Sequence, residues 1–124
     1  MTANETNVKE GEALLKAIQG ARLSSVQFVL DYLILGFDGK GALTTLVWPE
    51  IVSEQKTICF GMGGYRDNLC ELIPQVVRGV KITEDETIIF DFEKKSQLRI
   101  RLQSRKLPGE RAIFTAPPHI LYAW

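Results

Sequence analysis

The stretch that decides the fold is residues 86–104, which read ETIIFDFEKKSQLRIRLQS. Apolar and polar side chains alternate over residues 86–93 and again over residues 97–104, as in strands with one buried face. With residues 94–96 as the loop, three apolar pairs share one face: Phe92 with Leu98, Phe90 with Ile100, and Ile88 with Leu102. On the other face, Asp91 lies opposite Arg99. The sequence therefore predicts an antiparallel hairpin in this register.

Upstream of the hairpin, the sequence predicts further antiparallel strands. Residues 23–29 and 32–37 are rich in β-branched, aromatic and leucine side chains, which favour strands. Residues 38–41, Asp-Gly-Lys-Gly, are a strong turn signal, and residues 42–48 form the returning strand, which Pro49 ends. These segments predict a meander.

Two helices complete the expected elements. Residues 9–19 carry apolar side chains at helical spacing, and Gly20 stands where a helix often ends. A short strand over residues 56–60 and a glycine loop at residues 61–64 precede a second helix from Tyr65. Its apolar stripe is Leu69, Leu72, Ile73, Val76 and Val77. Because Pro74 lies within the stripe, the helix is expected to kink there or to end just before it.

The order of elements predicts an α+β fold, an antiparallel sheet of about six strands with two helices packed on it. Residues 111–115 are expected as the last strand, followed by a short aromatic tail. The length of 124 residues suits one domain. We assign residues 1–8 to a flexible tail and residues 9–124 to a single α+β domain.

Composition argues against several classes of protein. No apolar run approaches the roughly 20 residues of a membrane span, and no secretory signal opens the chain, so we expect a cytoplasmic protein. Cys59, Cys70 and His119 could supply at most three nitrogen or sulfur ligands, fewer than a structural zinc site uses. His119 follows two prolines near the end of the chain, an unpromising place for a catalytic base. We predict no catalytic residues, no metal and no cofactor.

The charge of the chain is unevenly distributed although the formal net charge is zero. Residues 31–93 hold eleven acidic and five basic residues, whereas residues 94–124 hold seven basic residues and one acidic residue. Such asymmetry is typical of proteins that bind charged partners, although folding can also bring the two halves together and cancel it.

Four segments are candidate binding sites, and each also has a purely structural interpretation. Trp48, at the end of the predicted meander, is either a core cap or an exposed anchor flanked by Glu50 and Glu54. Residues 65–67, Tyr-Arg-Asp, contain side chains enriched at interfaces, but an acid also suits a helix N-terminus. The glycine loop at residues 61–64 either cradles an anion or only makes a tight turn. The basic strand at residues 97–106 either follows a nucleic-acid backbone or is a solvated sheet face.

Five segments carry a family resemblance: residues 26–33 (VQFVLDYL), 37–39 (FDG), 46–50 (LVWPE), 64–67 (GYRD) and 110–114 (ERAIF). Over roughly residues 12–124, the chain resembles the immunity proteins of contact-dependent growth inhibition, a polymorphic-toxin system of bacteria. The resemblance implies a cytosolic protein that binds one cognate toxin, often a nuclease, and blocks its active site. Immunity proteins are commonly acidic, and the zero net charge departs from that pattern.

These observations predict an immunity protein whose acidic segments and aromatic anchors bind a basic toxin. The expected partner-binding residues are Asp31, Asp38, Trp48, Glu50, Glu54, Tyr65, Arg66 and Asp67. Two alternatives stay open: a nucleic-acid-binding module that uses residues 97–106, which we regard as the less favoured partner class, and a small enzyme that binds a phosphorylated ligand at residues 61–64.

Overall fold

The computed structural model describes residues 3–54, 56–104 and 109–124, and the side chains from residue 9 onward within them. The helices are α1 (Ala3–Leu15) and α2 (Tyr65–Cys70), with short 3-10 turns at Lys16–Ile18 and Leu102–Ser104. The strands are β1 (Ser25–Val29), β2 (Tyr32–Gly36), β3 (Ala42–Thr45), β4 (Glu50–Val52), β5 (Thr57–Ile58), β6 (Val77–Ile82), β7 (Thr87–Phe92), β8 (Gln97–Arg101), β9 (Ala112–Ala116) and β10 (Ile120–Ala123).

The strands form two antiparallel sheets of five strands each. The first sheet has the order β1-β2-β3-β9-β10, and the second has the order β5-β4-β8-β7-β6. The predicted α+β class is confirmed, but the single sheet of about six strands is wrong. After β3 the chain passes through Pro49 into the second sheet and returns only at β9, so the expected meander is split from the hairpin.

One hydrophobic core lies between the two sheets and takes side chains from both. Leu33, Leu35 and Phe114 of the first sheet belong to the same buried cluster as Ile88 and Phe90 of the second. The rings of Phe37 and Phe90 contact each other with centroids 5.5 Å apart. Burial of these apolar side chains on both sides is the main force that holds the sheets together.

The β7–β8 hairpin forms as predicted, but its register differs by two residues. Phe90 lies opposite Leu98 and Ile88 opposite Ile100, because the turn occupies residues 93–95 rather than 94–96. Lys95 takes a positive φ of 65°, as in three-residue hairpin turns that close with a left-handed residue. Since side chains alternate with a period of two, the shift leaves the same residues in the core.

The second helix is shorter than its apolar stripe predicted. It ends at Cys70, and Val77, the last residue of the stripe, begins β6 at the edge of the second sheet. In β6 the buried residues are Val77, Val80 and Ile82, because a bulge between Val77 and Gly79 interrupts the alternation. The apolar spacing that predicted one helix thus runs across α2, the turn that follows it and the first residue of β6.

The ends of the domain also differ from expectation. Helix α1 begins at Ala3 rather than at residue 9, and the flexibility assigned to residues 1–8 stays a prediction. The carboxylate of Glu12 accepts a hydrogen bond of 2.8 Å from the backbone N–H of Ile82, which fastens α1 to the edge strand β6. The predicted aromatic tail forms β10, paired with β9. None of the helices in the described ranges has the length and apolar character to cross a bilayer.

Candidate partner-binding site

Three aromatic rings pack together where the β3–β4 connection meets the start of α2. Trp48 and Phe60 stack with their centroids 4.3 Å apart and their planes 14° apart. The edge of Tyr65 meets Phe60 at 5.7 Å and 90°. Trp48 also packs against the core and is half-buried, while its role as a binding anchor stays a prediction. Aromatic pairs in these offset and perpendicular arrangements hold each other in fixed positions.

Tyr65 is the buried base of this cluster rather than an exposed anchor. Its side chain is 4% exposed, and its hydroxyl donates a hydrogen bond to the carbonyl oxygen of Pro49. Burial is the largest cause that raises the pKa of Tyr65, and the negative charges of Cys59 and Glu50 raise it further. The phenol therefore stays neutral and keeps its hydrogen bond over the physiological pH range.

Phe60 comes directly before the glycine loop that precedes α2, and Met62 lies within that loop. They are 52% and 51% exposed, although apolar side chains of this size usually lie inside. A surface cavity of about 310 Å³ opens beside them, and its walls continue through Tyr65 and Arg66 to Asp67. We call Trp48, Phe60, Met62, Tyr65 and Arg66 the Phe60 patch.

Arg66 connects the Phe60 patch to the first sheet. Its guanidinium lies 5.8 Å from the centroid of the Phe28 ring, within the range of a cation–π contact. Phe28 belongs to the edge strand β1, so the contact places the helix start against that edge. Asp67 follows on the exposed side of the first turn of α2, where its charge suits the helix dipole.

Glu50 lies next to the cluster, but its charge is compensated within the protein. Arg101 donates to one carboxylate oxygen at 2.5 Å, and the Cys59 thiol lies 3.6 Å from the other. Partial burial and then the hydrogen bond and charge of Glu50 raise the pKa of Cys59, while the same carboxylate raises the pKa of Arg101. Glu50 therefore adds little free negative charge to the surface.

The structure brings together Trp48, Glu50, Tyr65, Arg66 and Asp67 but places the other three predicted residues elsewhere. Asp31 lies in the β1–β2 turn and Asp38 in the β2–β3 turn, at opposite ends of β2. Asp38 pairs with Arg22 at 3.4 Å, and Glu54 pairs with Lys95 at 3.5 Å. The acidic residues that the sequence groups together are thus dispersed.

The two alternative sites can also be placed on the structure. In the glycine loop, Gly61 and Gly64 take positive φ values of 95° and 81°, and Met62 accepts a hydrogen bond on sulfur from the backbone N–H of Cys59. Anion binding there stays a prediction. On the basic strand, Arg99 donates to Gln97 and Arg101 to Glu50, so both guanidinium groups are engaged inside the protein. Arg105 and Lys106 lie outside the described residues.

Phe60 and Met62 are the site residues that sequence reasoning missed. Both flank a glycine, Gly61, and a large apolar residue within a glycine-rich turn has few neighbouring side chains to bury it. Large apolar residues next to glycines were therefore the signal in the sequence that could have indicated Phe60 and Met62 as exposed residues near Tyr65 and Arg66.

Across the described positions, no group of three or more histidine, cysteine, aspartate or glutamate residues could hold a metal ion. No protein-family model, curated protein or solved structure matches this chain.

Proposed function

We propose that this chain is a cytoplasmic immunity protein of the contact-dependent growth inhibition type. It binds a cognate toxin, a basic nuclease, and occludes the active site of that toxin. The proposal rests on the family resemblance of residues 26–33, 46–50 and 64–67 together with the surface that these segments build. Residues 46–50 and 64–67 supply Trp48, Tyr65 and Arg66 of the Phe60 patch, and residues 26–33 supply Phe28 beneath Arg66.

The observation that carries the proposal is the pair of exposed apolar side chains, Phe60 and Met62, on a fixed aromatic base. Four large apolar residues are exposed in the described part of the chain, and two of them are this pair, in one loop. Exposed apolar groups beside tryptophan, tyrosine and arginine are typical of the centre of a protein interface. Because Tyr65 holds Phe60 in place, little side-chain freedom is lost on binding.

The charges around the patch suggest how the toxin is recognised. Glu50 is compensated by Arg101, and Asp38 and Glu54 are paired elsewhere, which leaves Asp67 at the rim of the cavity. We therefore expect apolar burial to supply most of the affinity, with Asp67 meeting a basic group of the toxin. Charged residues at the rim of an interface mainly affect the association rate and its dependence on salt. Because Asp67 is the charge left at this rim, we expect the association rate to depend only weakly on salt concentration.

The proposal predicts that a toxin gene lies directly upstream of this chain's gene, and the test uses the toxin domain which that gene encodes. The chain is expected to bind that domain and to abolish its nuclease activity at a one-to-one ratio. Phe60→Ala is expected to weaken binding at least about tenfold, as at interface hot spots. Leu121→Ala is the matched control, since Leu121 is 69% exposed on β10 of the first sheet, away from the patch.

Two outcomes would overturn the proposal. One is that the chain neither binds the upstream toxin domain nor inhibits it. The other is that Phe60→Ala and Leu121→Ala bind the toxin equally well. Binding of the chain alone to RNA or DNA at low salt, lost as salt rises, would instead support a nucleic-acid-binding module.

A further inference from the structure

The outer face of the first sheet, the side that points away from the core, carries no charged side chain from any of its five strands, all of which the structure describes. Strand pairing brings five large apolar side chains together on this face: Val29, Tyr32, Ile34, Ile113 and Leu121. The first four are half-buried and Leu121 is exposed. The other positions of the outer face hold alanine, glycine, serine, threonine or glutamine.

The outer face of the second sheet has the opposite character. It presents five charged side chains: Glu50, Lys81, Asp91, Arg99 and Arg101. Two of them form an ion pair, Arg101 with Glu50, and Asp91 accepts a hydrogen bond from the amide of Gln97. An antiparallel sheet with one face on the core normally has such a polar face toward water. The first sheet departs from that rule, and a contiguous exposed apolar surface is typical of an interaction site.

The distribution of charge argues against most classes of partner for this face. Nucleic acids and anionic membranes are bound by lysine and arginine, and basic proteins are bound by acidic residues. The charged residues stand around the face instead, with Asp31 and Lys40 in the turns that flank β2 and Arg111 just before β9. An uncharged centre with a polar rim is the usual arrangement of a protein–protein interface.

The size of the outer face sets the strength of any association through it. Its strands have four or five residues each, so the face measures about 24 Å across the strands and about 15 Å along them. Side chains project from this plane and enlarge the accessible area. Two such faces in contact would therefore bury on the order of 1,000 Å² in total, at the low end for specific interfaces. A weak dimer is expected, with a dissociation constant of about 1–100 µM.

We propose that two copies of this chain associate through their outer faces to form a symmetric dimer. A two-fold axis places the same residues on both sides of the contact, and stacked sheets interdigitate their side chains at a separation of about 10 Å. Tyr32 and Ile34 of each copy thus pack among the apolar side chains of the other. A second copy matches the face in size and polarity, and neither copy has to bury an unpaired charge. The dimer is independent of the proposed toxin binding, because none of these residues belongs to the Phe60 patch.

The first test is sedimentation velocity of the isolated chain from about 1 µM to about 1 mM. The average molar mass is expected to rise from that of one chain toward twice that value. Because apolar burial drives the association, added sodium chloride is expected to leave the affinity unchanged or to increase it. An association that salt abolishes would contradict the proposal.

The second test introduces a charge at exposed threonines on the two outer faces. Thr115→Lys and Thr115→Glu lie on β9 of the first sheet, and each is expected to raise the dissociation constant at least about tenfold, because either charge would be buried on association. Thr57→Lys on β5 of the second sheet is the matched control and is expected to dimerise as the parent does. Thermal melting verifies that the three variants fold.

The proposal is overturned if the chain stays monomeric up to about 1 mM, including the case in which that monomer cosediments with neutral phosphatidylcholine vesicles. It is also overturned if Thr115→Lys and Thr57→Lys dimerise equally well. Self-association that Phe60→Ala abolishes and Thr115→Lys leaves intact would place the contact at the Phe60 patch and would equally overturn it. Since each measurement uses the isolated chain, none of these results depends on whether a toxin binds.

Discussion

The hydroxyl of Tyr65 donates a hydrogen bond of 2.5 Å to the carbonyl oxygen of Pro49. The bond connects the first residue of α2 to the segment between β3 and β4, where the chain leaves the first sheet for the second. Trp48 precedes Pro49 and stacks on Phe60, which in turn contacts the Tyr65 ring. The position of the proposed toxin-binding surface therefore depends on this one bond between a side chain and the main chain.

Tyr65→Phe keeps the ring and removes the hydroxyl, which leaves a buried carbonyl group without its donor. The free energy of unfolding is expected to fall by about 1–2 kcal/mol. Urea denaturation followed by tryptophan fluorescence measures the change. Tyr32→Phe is the control, because the half-buried Tyr32 hydroxyl has no hydrogen-bond partner among the described residues. A difference below about 0.5 kcal/mol between the two variants would show that the Tyr65 bond adds no stability.

The same hydroxyl predicts a dependence of stability on alkaline pH. Burial raises the pKa of Tyr65 above its ordinary value of 10.0 in the folded protein. Because the folded pKa exceeds the unfolded one, the stabilisation is complete below the unfolded pKa and is lost as pH rises toward the folded pKa. Above about pH 10, the free energy of unfolding of the parent is expected to fall more steeply than that of Tyr65→Phe, by up to about 1.4 kcal/mol per pH unit. Denaturation curves at several pH values test this, and parallel losses in the two proteins would contradict it.

The parts of the fold that the sequence predicted are those governed by local periodicity. Alternation in residues 86–104 predicted β7 and β8 and their buried faces, and the Asp38–Gly39 turn was found by its residue types. The exact register was missed by two residues, because the turn could begin at either of two neighbouring positions without moving an apolar side chain out of the core. Local patterning therefore determines which face is buried more strongly than it determines which residues pair.

The division into two sheets could not be predicted, because it depends on strand pairs distant in sequence. Strand β3 pairs with β9 and β4 pairs with β8, and no local pattern indicates either choice. The candidate site was missed in part for the same reason. The pairing of Glu50 with Arg101, 51 residues apart, removes a charge that the sequence counts as free. The exposure of Phe60 could not be predicted either, because it depends on which parts of the folded chain pack against that side chain.

Two glycines of the β2–β3 turn predict different costs of substitution. A Cβ atom at Gly41 would lie 2.8 Å from the Phe114 ring and 2.9 Å from the backbone oxygen of Thr115, whereas a Cβ atom at Gly39 would meet nothing within 4 Å. Gly39→Ala is expected to cost about 1–2 kcal/mol, since Gly39 has a positive φ of 77° that disfavours a side chain. Gly41→Ala is expected to cost about 1–3 kcal/mol from overpacking against β9 and the fully buried Phe114.

The two glycine variants are distinguished by combining each with Phe114→Leu, which makes room beside Gly41 only. The Phe114→Leu change is expected to relieve part of the cost of Gly41→Ala and none of the cost of Gly39→Ala. Thermal unfolding of the parent, the three single variants and the two double variants measures both effects. Purely additive costs for Gly41→Ala and Phe114→Leu would show that the close approach to the ring does not limit this position.

The two cysteines are expected to react at different rates with a thiol reagent such as 5,5′-dithiobis(2-nitrobenzoate). Cys70 is exposed, whereas Cys59 is half-buried beside Glu50, and burial together with that carboxylate raises the pKa of Cys59. Because the thiolate is the reacting species, Cys70 is expected to be modified first at about pH 8. Serine in place of Cys70 allows the rate at Cys59 to be followed alone.

Glu50→Gln in that Cys70→Ser background tests whether the carboxylate controls the thiol. Removal of the negative charge leaves Arg101 next to Cys59, where its positive charge lowers the pKa of the thiol. The reaction of Cys59 is therefore expected to become faster, by at most about threefold for each half unit by which the pKa falls. Glu54→Gln is the control, because Glu54 is exposed and pairs with Lys95. If both substitutions leave the rate at Cys59 unchanged, Glu50 has no electrostatic influence on the reaction.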